Sequence, residues 1–260
     1  MIARTTLVSD FPDLPPRPKH WVGTSGAFDV ETPCFLEALV AIGETIAEHG
    51  VTALHGEPGL GKSFAALSVA DQLSIPYRYL EAQRVAGKAI ETLLLRALRE
   101  PHDPTARRNH LLDSVARGFC REDLVLAIDE CDRFGHEGME TIRYAVSQPG
   151  NKTTVILIGY KLDRLFARNP ALDSRIPRRV EFRPLDGEDA LATLRSYHPI
   201  FEKATERHLS WIASFSGGEF RRMAQILKGI LDLTDGDVKV RLADRILTEV
   251  FEKSGRPGAR

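Results

Sequence analysis

Residues 55–64, HGEPGLGKSF, combine the side chains and the backbone freedom that a phosphate-binding loop needs. Gly56, Gly61, Lys62 and Ser63 fill every fixed position of the pattern G-x-x-x-x-G-K-[ST]. Glycines let successive backbone N–H groups curl around a phosphate, because no Cβ stands in the way. In this pattern the lysine reaches the β- and γ-phosphates, and the serine hydroxyl holds Mg²⁺. The pattern therefore predicts a site for ATP or GTP with Mg²⁺.

The phosphate loop is defined here as residues 56–64. An apolar, strand-like GVTALHG precedes it, and SFAALSVADQL follows with apolar residues at helical spacing. This strand-to-helix setting, with the positive end of a helix at the loop, favours phosphate binding over a plain glycine turn before a solvated lysine. The residues predicted to bind the nucleotide here are Gly56, Glu57, Pro58, Gly59, Leu60, Gly61, Lys62, Ser63 and Phe64.

A pair of acidic residues ends the apolar run DLVLAIDE. Such a run is typical of a strand buried on both faces, and ligands of open α/β sheets bind outside the carboxyl ends of strands. We expect Asp129 to bind the nucleotide's Mg²⁺ together with Ser63, and Glu130 to polarise the attacking water. Without the upstream loop, a helix-capping role for this pair would be as good an explanation.

The elements around these motifs alternate between strands and helices. PYRYLEA, TTVILIGY and RRVEFRPL supply further strands, separated by helical segments. This order predicts an α/β fold: a P-loop core with a parallel sheet and helices on both faces. After Asp186 the segments are amphipathic helices only, which predicts a small all-helical second domain. The tetrad DECD at residues 129–132 also matches a box of RNA helicases, but those proteins need a second sheet domain.

These patterns predict that the chain consists of four parts. An extended N-terminal arm is predicted over residues 1–32, which are dense in proline and turn residues, with a disordered leader as the alternative. The nucleotide-binding core is predicted over residues 33–185 and the helical domain over residues 186–254. Residues 255–260 are predicted to form a flexible tail.

Composition excludes few functions here. The formal charge of −1 argues against a wholly basic protein but leaves local basic clusters for an anionic partner. The three cysteines lack the spacing of a disulfide framework or a zinc site. No apolar run approaches the ~20 residues of a membrane span, and we expect a soluble, cytoplasmic protein without a membrane partner.

Over nearly all its length the chain resembles the AAA+ ATPases, which implies ATP as the nucleotide and a lid role for the helical domain. The segment NPALDSRIPRRVEFRPLDGEDALATL is similar to the family segment in which an S-R pair precedes the last core strand. The resemblance implies that Arg175 is the arginine finger, which reaches the nucleotide of the next subunit. Arg178 and Arg179 are the other candidates for the arginine finger. The alternative explanation of Arg175 is a surface arginine that pairs with Asp173 or Glu181.

Two further segments bear on this resemblance. SGGEFRRMAQIL is similar to the lid motif G-D-x-R-R, which implies that Arg221, with Arg222 beside it, contacts the γ-phosphate. A solvated arginine pair is the alternative. The strand TTVILIGY departs from the family pattern, because Gly159 and Tyr160 stand where a small polar sensor-one residue is expected. We therefore expect ATP hydrolysis that is slow or depends on a partner.

Within this family the layout is most similar to the DNA-transposition ATPases of the Mu B and TnsC type. That resemblance implies an ATP-dependent homo-oligomer, a hexameric ring or a helical filament, on double-stranded DNA. It also implies a transposase or target-selector protein as partner, with the chain acting as a transposition regulator. Two alternatives stay open: an AAA+ helicase or initiator loader, and a non-DNA adaptor ATPase whose nucleotide state gates a protein partner.

If DNA is bound, its contacts should be basic and independent of base sequence, because backbone phosphates supply most non-specific affinity. The residues predicted to make these contacts follow the second strand and lie in the polar turn PHDPTARRNH: Arg84, Lys88, Arg107 and Arg108. Ordinary solvated charges are the alternative for all of them.

Overall fold

The computed structural model describes residues 24, 26–70 and 75–255. The predicted N-terminal arm therefore lies mostly outside the described residues, and so does the predicted tail beyond residue 255. None of the described helices is both long and apolar enough to cross a membrane.

Five described strands form one sheet in the order β2-β3-β4-β1-β5. Their bounds are Val51–Gly56 (β1), Tyr77–Glu81 (β2), Leu124–Asp129 (β3), Thr153–Gly159 (β4) and Arg178–Phe182 (β5). The pairs β2–β3, β3–β4 and β1–β4 are parallel. Every residue of β3 and β4 is buried, as a parallel strand covered on both faces requires.

The described helices alternate with these strands and then continue alone. The first set comprises Pro33–Glu48 (α1), Lys62–Ala70 (α2), Lys88–Leu98 (α3), Arg108–Phe119 (α4), Gly135–Val146 (α5), Leu162–Phe166 (α6) and Pro170–Asp173 (α7). The second set comprises Gly187–Tyr197 (α8), Pro199–Glu202 (α9), Glu206–Ser216 (α10), Phe220–Leu233 (α11) and Asp244–Ser254 (α12). A short 3₁₀ turn, Cys131–Phe134, follows β3.

The described residues divide into two compact units. The first unit takes in residues 37–56, 62–70 and 75–181. Its core lies between the sheet and helices α3, α4 and α5, with Leu94, Leu111, Phe119 and Ile142 among the fully buried side chains. The register pairs His55 with Gly159, so the carboxyl ends of β1 and β4 meet at one edge of the sheet. That edge carries the phosphate loop's first glycine.

The second unit takes in residues 24, 26–36, 57–61 and 182–255. Within its described residues from 186 onward the elements are helices α8 to α12, without a strand. Their apolar stripes share one core, to which Leu194, Phe201, Ile212 and Leu227 contribute fully buried side chains. The predicted boundaries of the four parts stay predictions.

Candidate nucleotide-binding site

The backbone of the phosphate loop requires glycine at three positions. Gly56, Gly59 and Gly61 have φ angles of 130°, 86° and 100°. Side chains strain a backbone with φ in this range, whereas glycine adopts it freely. The loop thus joins the end of β1 to the start of α2 through a backbone that only glycine adopts without strain at these three positions.

Lys62 begins α2, and its side chain returns to the start of the loop. Its Nζ donates a hydrogen bond of 2.8 Å to the backbone oxygen of Gly56, and only 9% of the residue is exposed. A largely buried ammonium needs anionic or carbonyl partners. This position suits it to neutralise phosphate charge at the loop.

Ser63 and Asp129 come together across the edge of the sheet. The Ser63 hydroxyl donates to Asp129 Oδ2 over 2.5 Å, and the backbone N–H of Glu130 donates to Oδ1 over 2.7 Å. Mg²⁺ in phosphate-binding sites takes one or two protein oxygens, with phosphate oxygens and waters completing its octahedron. The hydroxyl and the carboxylate therefore fit the ion, and no cluster of three His, Cys, Asp or Glu is found among the described residues to compete with them.

Tyr79 is a site residue that the sequence motifs do not reveal. Its hydroxyl also donates to Asp129 Oδ2. The parallel register pairs Tyr79 with Ala127, two residues before Asp129, which brings the ring to the same edge. Burial and the Asp129 charge both raise the pKa of the Tyr79 hydroxyl above its ordinary value, so it stays a hydrogen-bond donor at neutral pH. The alternation of Tyr77 and Tyr79 in PYRYLEA was the available signal, since both rings lie on one face.

We expect Tyr79→Phe to weaken the Mg²⁺-dependent part of nucleotide binding by about tenfold or more, because a hydrogen bond to a charged group contributes about 1.5–3 kcal/mol. Titration of Mg²⁺ into the chain with a fluorescent nucleotide measures this shift. Nucleotide affinity in EDTA is the control and should stay within about twofold. An equal loss with and without Mg²⁺ would show that Tyr79 only supports the fold.

Glu130 is held in an uncommon conformation. Its φ of 52° lies in the left-handed region, where a residue with a side chain is strained. The carboxylate Oε2 lies 2.7 Å from Nη1 of Arg133, and both side chains are 43% exposed. Burial raises the pKa of Glu130, Arg133 opposes this shift, and the carboxylates of Glu81, Asp129 and Asp132 add to it. A raised pKa suits a carboxylate that must accept a proton from water.

The strand end at Gly159, where the sequence departs from the expected sensor-one pattern, is crowded by two neighbouring side chains. A Cβ built on Gly159 would lie 2.6 Å from Asp132 Oδ1 and 2.7 Å from Leu162 Cδ2. Asp132 Oδ1 accepts a hydrogen bond of 3.2 Å from the backbone N–H of Tyr160. Asp132 and Leu162 therefore together take the space that a side chain at position 159 would occupy.

The three arginines near β5 differ in their partners. Arg178 bonds to Glu44 and Glu48 of α1, and Arg179 forms an ion pair of 2.7 Å with Asp173. Arg175 is exposed, and its Nη1 donates to the backbone oxygen of Ala171 over 2.6 Å. Among the described residues, Arg175 is thus the one of the three without a carboxylate partner, and Asp173 is occupied by another arginine.

Arg221 lies at the start of α11 in the second unit, which also contains Gly59. The backbone N–H of Arg221 donates to the Gly59 oxygen over 3.1 Å. A Cβ on Gly59 would lie 2.9 Å from Cβ of Arg221, so glycine is needed there for space as well as for its φ angle. Arg222 pairs instead with Glu219 over 2.8 Å.

The residues predicted to contact DNA fall into two groups. Arg84, Lys88 and Arg107 are exposed, and the Lys88 ammonium donates to the Ala106 oxygen over 3.3 Å. Arg108 instead bonds through Nε to Glu91 over 3.0 Å.

Arg108 also pairs with Glu137, whose Oε2 accepts the backbone N–H of Gly87. Glu91 is fully buried, so it needs this guanidinium as its counter-charge. The prediction that Arg108 contacts DNA thus competes with an internal ion pair.

The part of the chain that carries the nucleotide site matches a known protein family. Residues 46–165 match the family model of the AAA domain. The AAA match spans strands β1 to β4 and includes the phosphate loop, Asp129 and Glu130. No curated protein sequence matches the chain.

Several solved structures share the architecture around this AAA segment. Cdc6p from Pyrobaculum aerophilum has a TM-score of 0.69 at 15% identity, covering 86% of this chain and 68% of its own. The Aeropyrum pernix ORC1 protein, solved in complex with DNA, has a TM-score of 0.63 at 14% identity, with 90% and 69% covered. The Thermotoga maritima RuvB Holliday junction branch migration motor has a TM-score of 0.61 at 16% identity, with 85% and 68% covered.

Identities this low establish the fold alone. The predicted α/β fold with a P-loop AAA+ core and a parallel five-stranded sheet is confirmed. The helical lid, the roles of the individual site residues and the likeness to Mu B and TnsC stay predictions.

Proposed function

We propose that this chain is a Mg²⁺-dependent ATPase of the AAA+ type. The observation that carries the proposal is the meeting of the Ser63 hydroxyl with Asp129 Oδ2, beside a glycine loop closed by Lys62. A hydroxyl, a carboxylate and an ammonium at the edge of a parallel sheet are the groups that a nucleoside triphosphate with Mg²⁺ needs. The match of residues 46–165 to the AAA domain supports the same class.

In this proposal each residue of the site has one task. ATP supplies the phosphoryl group that is transferred to water, and Ser63 and Asp129 hold its Mg²⁺. Lys62 and the loop N–H groups neutralise and orient the phosphates. Glu130 orients the attacking water and takes its proton, which requires the carboxylate to leave Arg133. Arg175 is assigned to the nucleotide of a neighbouring subunit, and Arg221 to the γ-phosphate, on the sequence resemblance.

The proposal extends to DNA and to assembly. ATP-bound subunits are proposed to form a hexameric ring or a helical filament on duplex DNA, and to recruit or regulate a transposase or target-selector protein there. The sequence resemblance to the transposition ATPases is the support for the transposase. The fold similarity to an ORC1 protein solved with DNA and to the RuvB motor supports action on DNA.

A second candidate function is that of an initiator or helicase loader. The observation that favours it is the fold similarity to Cdc6p and ORC1, which extends over 86% and 90% of this chain. Both candidate functions include ATP hydrolysis and DNA binding, and they differ in the protein partner. A transposase gene beside the gene of this chain would favour transposition, whereas a replicative helicase gene there would favour loading.

We expect duplex DNA binding to require ATP and to weaken steeply with salt. Assembly aligns several weak basic contacts, and each phosphate that is neutralised releases counterions. Fluorescence anisotropy with labelled duplex, with and without a non-hydrolysable ATP analogue, measures both effects, and electron microscopy of the same mixture shows ring or filament. Equal binding with and without nucleotide, or none at low salt, would favour the adaptor alternative instead.

A further inference from the structure

Helices α3 and α4 begin side by side. The ammonium of Lys88, the first residue of α3, donates to the oxygen of Ala106, which precedes the first residue of α4 by two positions. At the opposite end, a Cβ built on Gly118 of α4 would lie 3.1 Å from Cδ1 of Leu98, the last residue of α3. The two helices are therefore parallel, and their first residues lie together.

Two exposed cations lie where these helices begin. Lys88 is the first residue of α3, and Arg107 directly precedes α4. Among the described residues neither side chain forms an ion pair with a carboxylate. Asp103, in the turn before α4, accepts instead from the N–H and the hydroxyl of Thr105, over 2.8 and 2.7 Å. Lys88 and Arg107 are called the cation pair, and their charge is available to an anion.

A carboxylate of a third helix joins the two helix starts. Glu137, in the first turn of α5, accepts the backbone N–H of Gly87 through Oε2 over 3.0 Å, and its Oε1 binds the Arg108 guanidinium. Gly87 directly precedes Lys88, and Arg108 directly follows Arg107. Each member of the cation pair is therefore adjacent in the chain to a group that Glu137 holds.

The two ends of this connection differ in rigidity. Arg108 also binds Glu91, whose Oε1 accepts the Thr141 hydroxyl of α5 over 3.2 Å. Because Glu91 is fully buried, separating it from Arg108 would leave an unpaired buried charge, so this end is fixed. Gly87 has a φ of 56°, which glycine adopts without a steric restraint on the backbone. The start of α3 therefore depends on Glu137 for its position more than the start of α4 does.

We propose that Glu137 is a positioning residue for DNA, which holds the cation pair as one surface for phosphates of the duplex backbone. This inference rests on the proposed function and deepens it, since it names the group that joins two predicted contacts far apart in the chain. An ammonium and a guanidinium bind phosphate oxygens through charge and hydrogen bonds, and such contacts read no bases. Glu137 has the same sign of charge as a phosphate, so its effect on DNA passes through the cation pair.

The test of this role is the direction in which Glu137→Ala changes DNA affinity. Binding of labelled duplex is measured from low to high salt with a non-hydrolysable ATP analogue. We expect affinity to fall at least about fivefold at every salt concentration, since DNA must then order two side chains that Glu137 held in place. The slope of log K against log salt should stay unchanged, because the same phosphates are contacted. Loss of a negative charge beside DNA would by itself raise affinity, most of all at low salt. Affinity that rises or stays the same would overturn the inference.

Two variants control for the loss of charge. Glu137→Gln removes the same charge as Glu137→Ala but keeps an oxygen that can accept the Gly87 N–H, so it should retain affinity within about twofold. Glu140→Ala removes a carboxylate of similar exposure from the same helix, where it pairs with Arg143. It should also stay within about twofold or bind more tightly. An equal fall in affinity for Glu140→Ala would show that α5 as a whole, and not the contact of Glu137, is responsible.

A double-mutant cycle shows whether Glu137 acts through the cation pair. Lys88→Gln with Arg107→Gln should reduce the salt slope by about 1.8 for each bound subunit. Adding Glu137→Ala to that background should change affinity by less than about twofold, because no cation pair is left to position. A full further loss there would overturn the inference while leaving DNA binding itself in place.

Binding of a fluorescent ATP analogue should be the same for all these variants and the unaltered chain, which shows that the nucleotide site is intact. If the unaltered chain fails to bind duplex at low salt, the proposed function on DNA is wrong, and the inference falls with it. If the unaltered chain binds duplex and Glu137→Ala binds as tightly, only the role of Glu137 is wrong.

Discussion

Arg175→Ala is expected to lower ATP turnover by about 10³–10⁵-fold, the effect of removing an arginine finger supplied by another subunit. The guanidinium would stabilise charge that develops on the transferred phosphoryl group, so ATP affinity of the isolated subunit should stay largely intact. Arg175 is exposed and pairs with a backbone oxygen, which leaves its guanidinium accessible to a neighbouring subunit. Steady-state hydrolysis and equilibrium binding of an ATP analogue measure the two quantities. Nucleotide-dependent assembly, followed by sedimentation, should be lost as well.

Mixing variants tests whether Arg175 acts between subunits. Lys62→Ala subunits lack the ammonium at the phosphate loop and should not bind ATP, but they keep their arginine. Added to Arg175→Ala subunits, they should restore part of the turnover. Arg179→Ala is the matched control, because this neighbouring arginine pairs with Asp173 and its loss should change turnover little. If mixed assemblies form without recovered activity, the finger is not Arg175, and Arg178 and Arg179 are the next to test.

Glu130→Gln is expected to lower turnover by about 10²–10⁴-fold while ATP still binds, since the amide keeps the shape of the side chain but cannot accept the proton of water. The assembled, ATP-bound state should then accumulate. Single-turnover hydrolysis and retention of labelled ATP measure these effects. Unchanged hydrolysis would remove Glu130 from the catalytic role.

The pH dependence of ATP turnover provides a second test of Glu130, with Glu81→Gln as the matched variant. Glu130 acts as a base, so turnover should rise with pH through its pKa, which burial raises above the ordinary value of 4.5. Glu81 is a nearby exposed carboxylate that also raises this pKa. Glu81→Gln should therefore keep turnover near neutral pH within a few fold, and it should move the acidic limb of the profile to lower pH. A limb that does not move would show that another group titrates there.

The fold was largely predictable because its signals are local. The buried strands β3 and β4 are continuous apolar runs, and the glycine motif lies between a strand and a helix, as the flanking sequence predicts. Tyr79 was not predictable in the same way, because its contact with Asp129 depends on the register between β2 and β3. The partner of Arg108 is likewise set by packing, since Glu91 lies one helix earlier in the chain. Local patterns identified charged residues but not the groups that compensate them.

The contact between Gly159 and Asp132 restricts the order in which mutations can accumulate. A side chain introduced at position 159 meets the Asp132 carboxylate at 2.6 Å, so it is costly until residue 132 has lost or moved that group. Changing Asp132 first costs the hydrogen bond to the Tyr160 N–H and removes the first of two close contacts, while Leu162 Cδ2, at 2.7 Å, must still shift. Chains that diverged from this one should therefore vary at the two positions together. A side chain at position 159 should accompany a residue other than aspartate at position 132. An ancestor with a polar residue at position 159 would have gained Gly159 first and Asp132 afterwards.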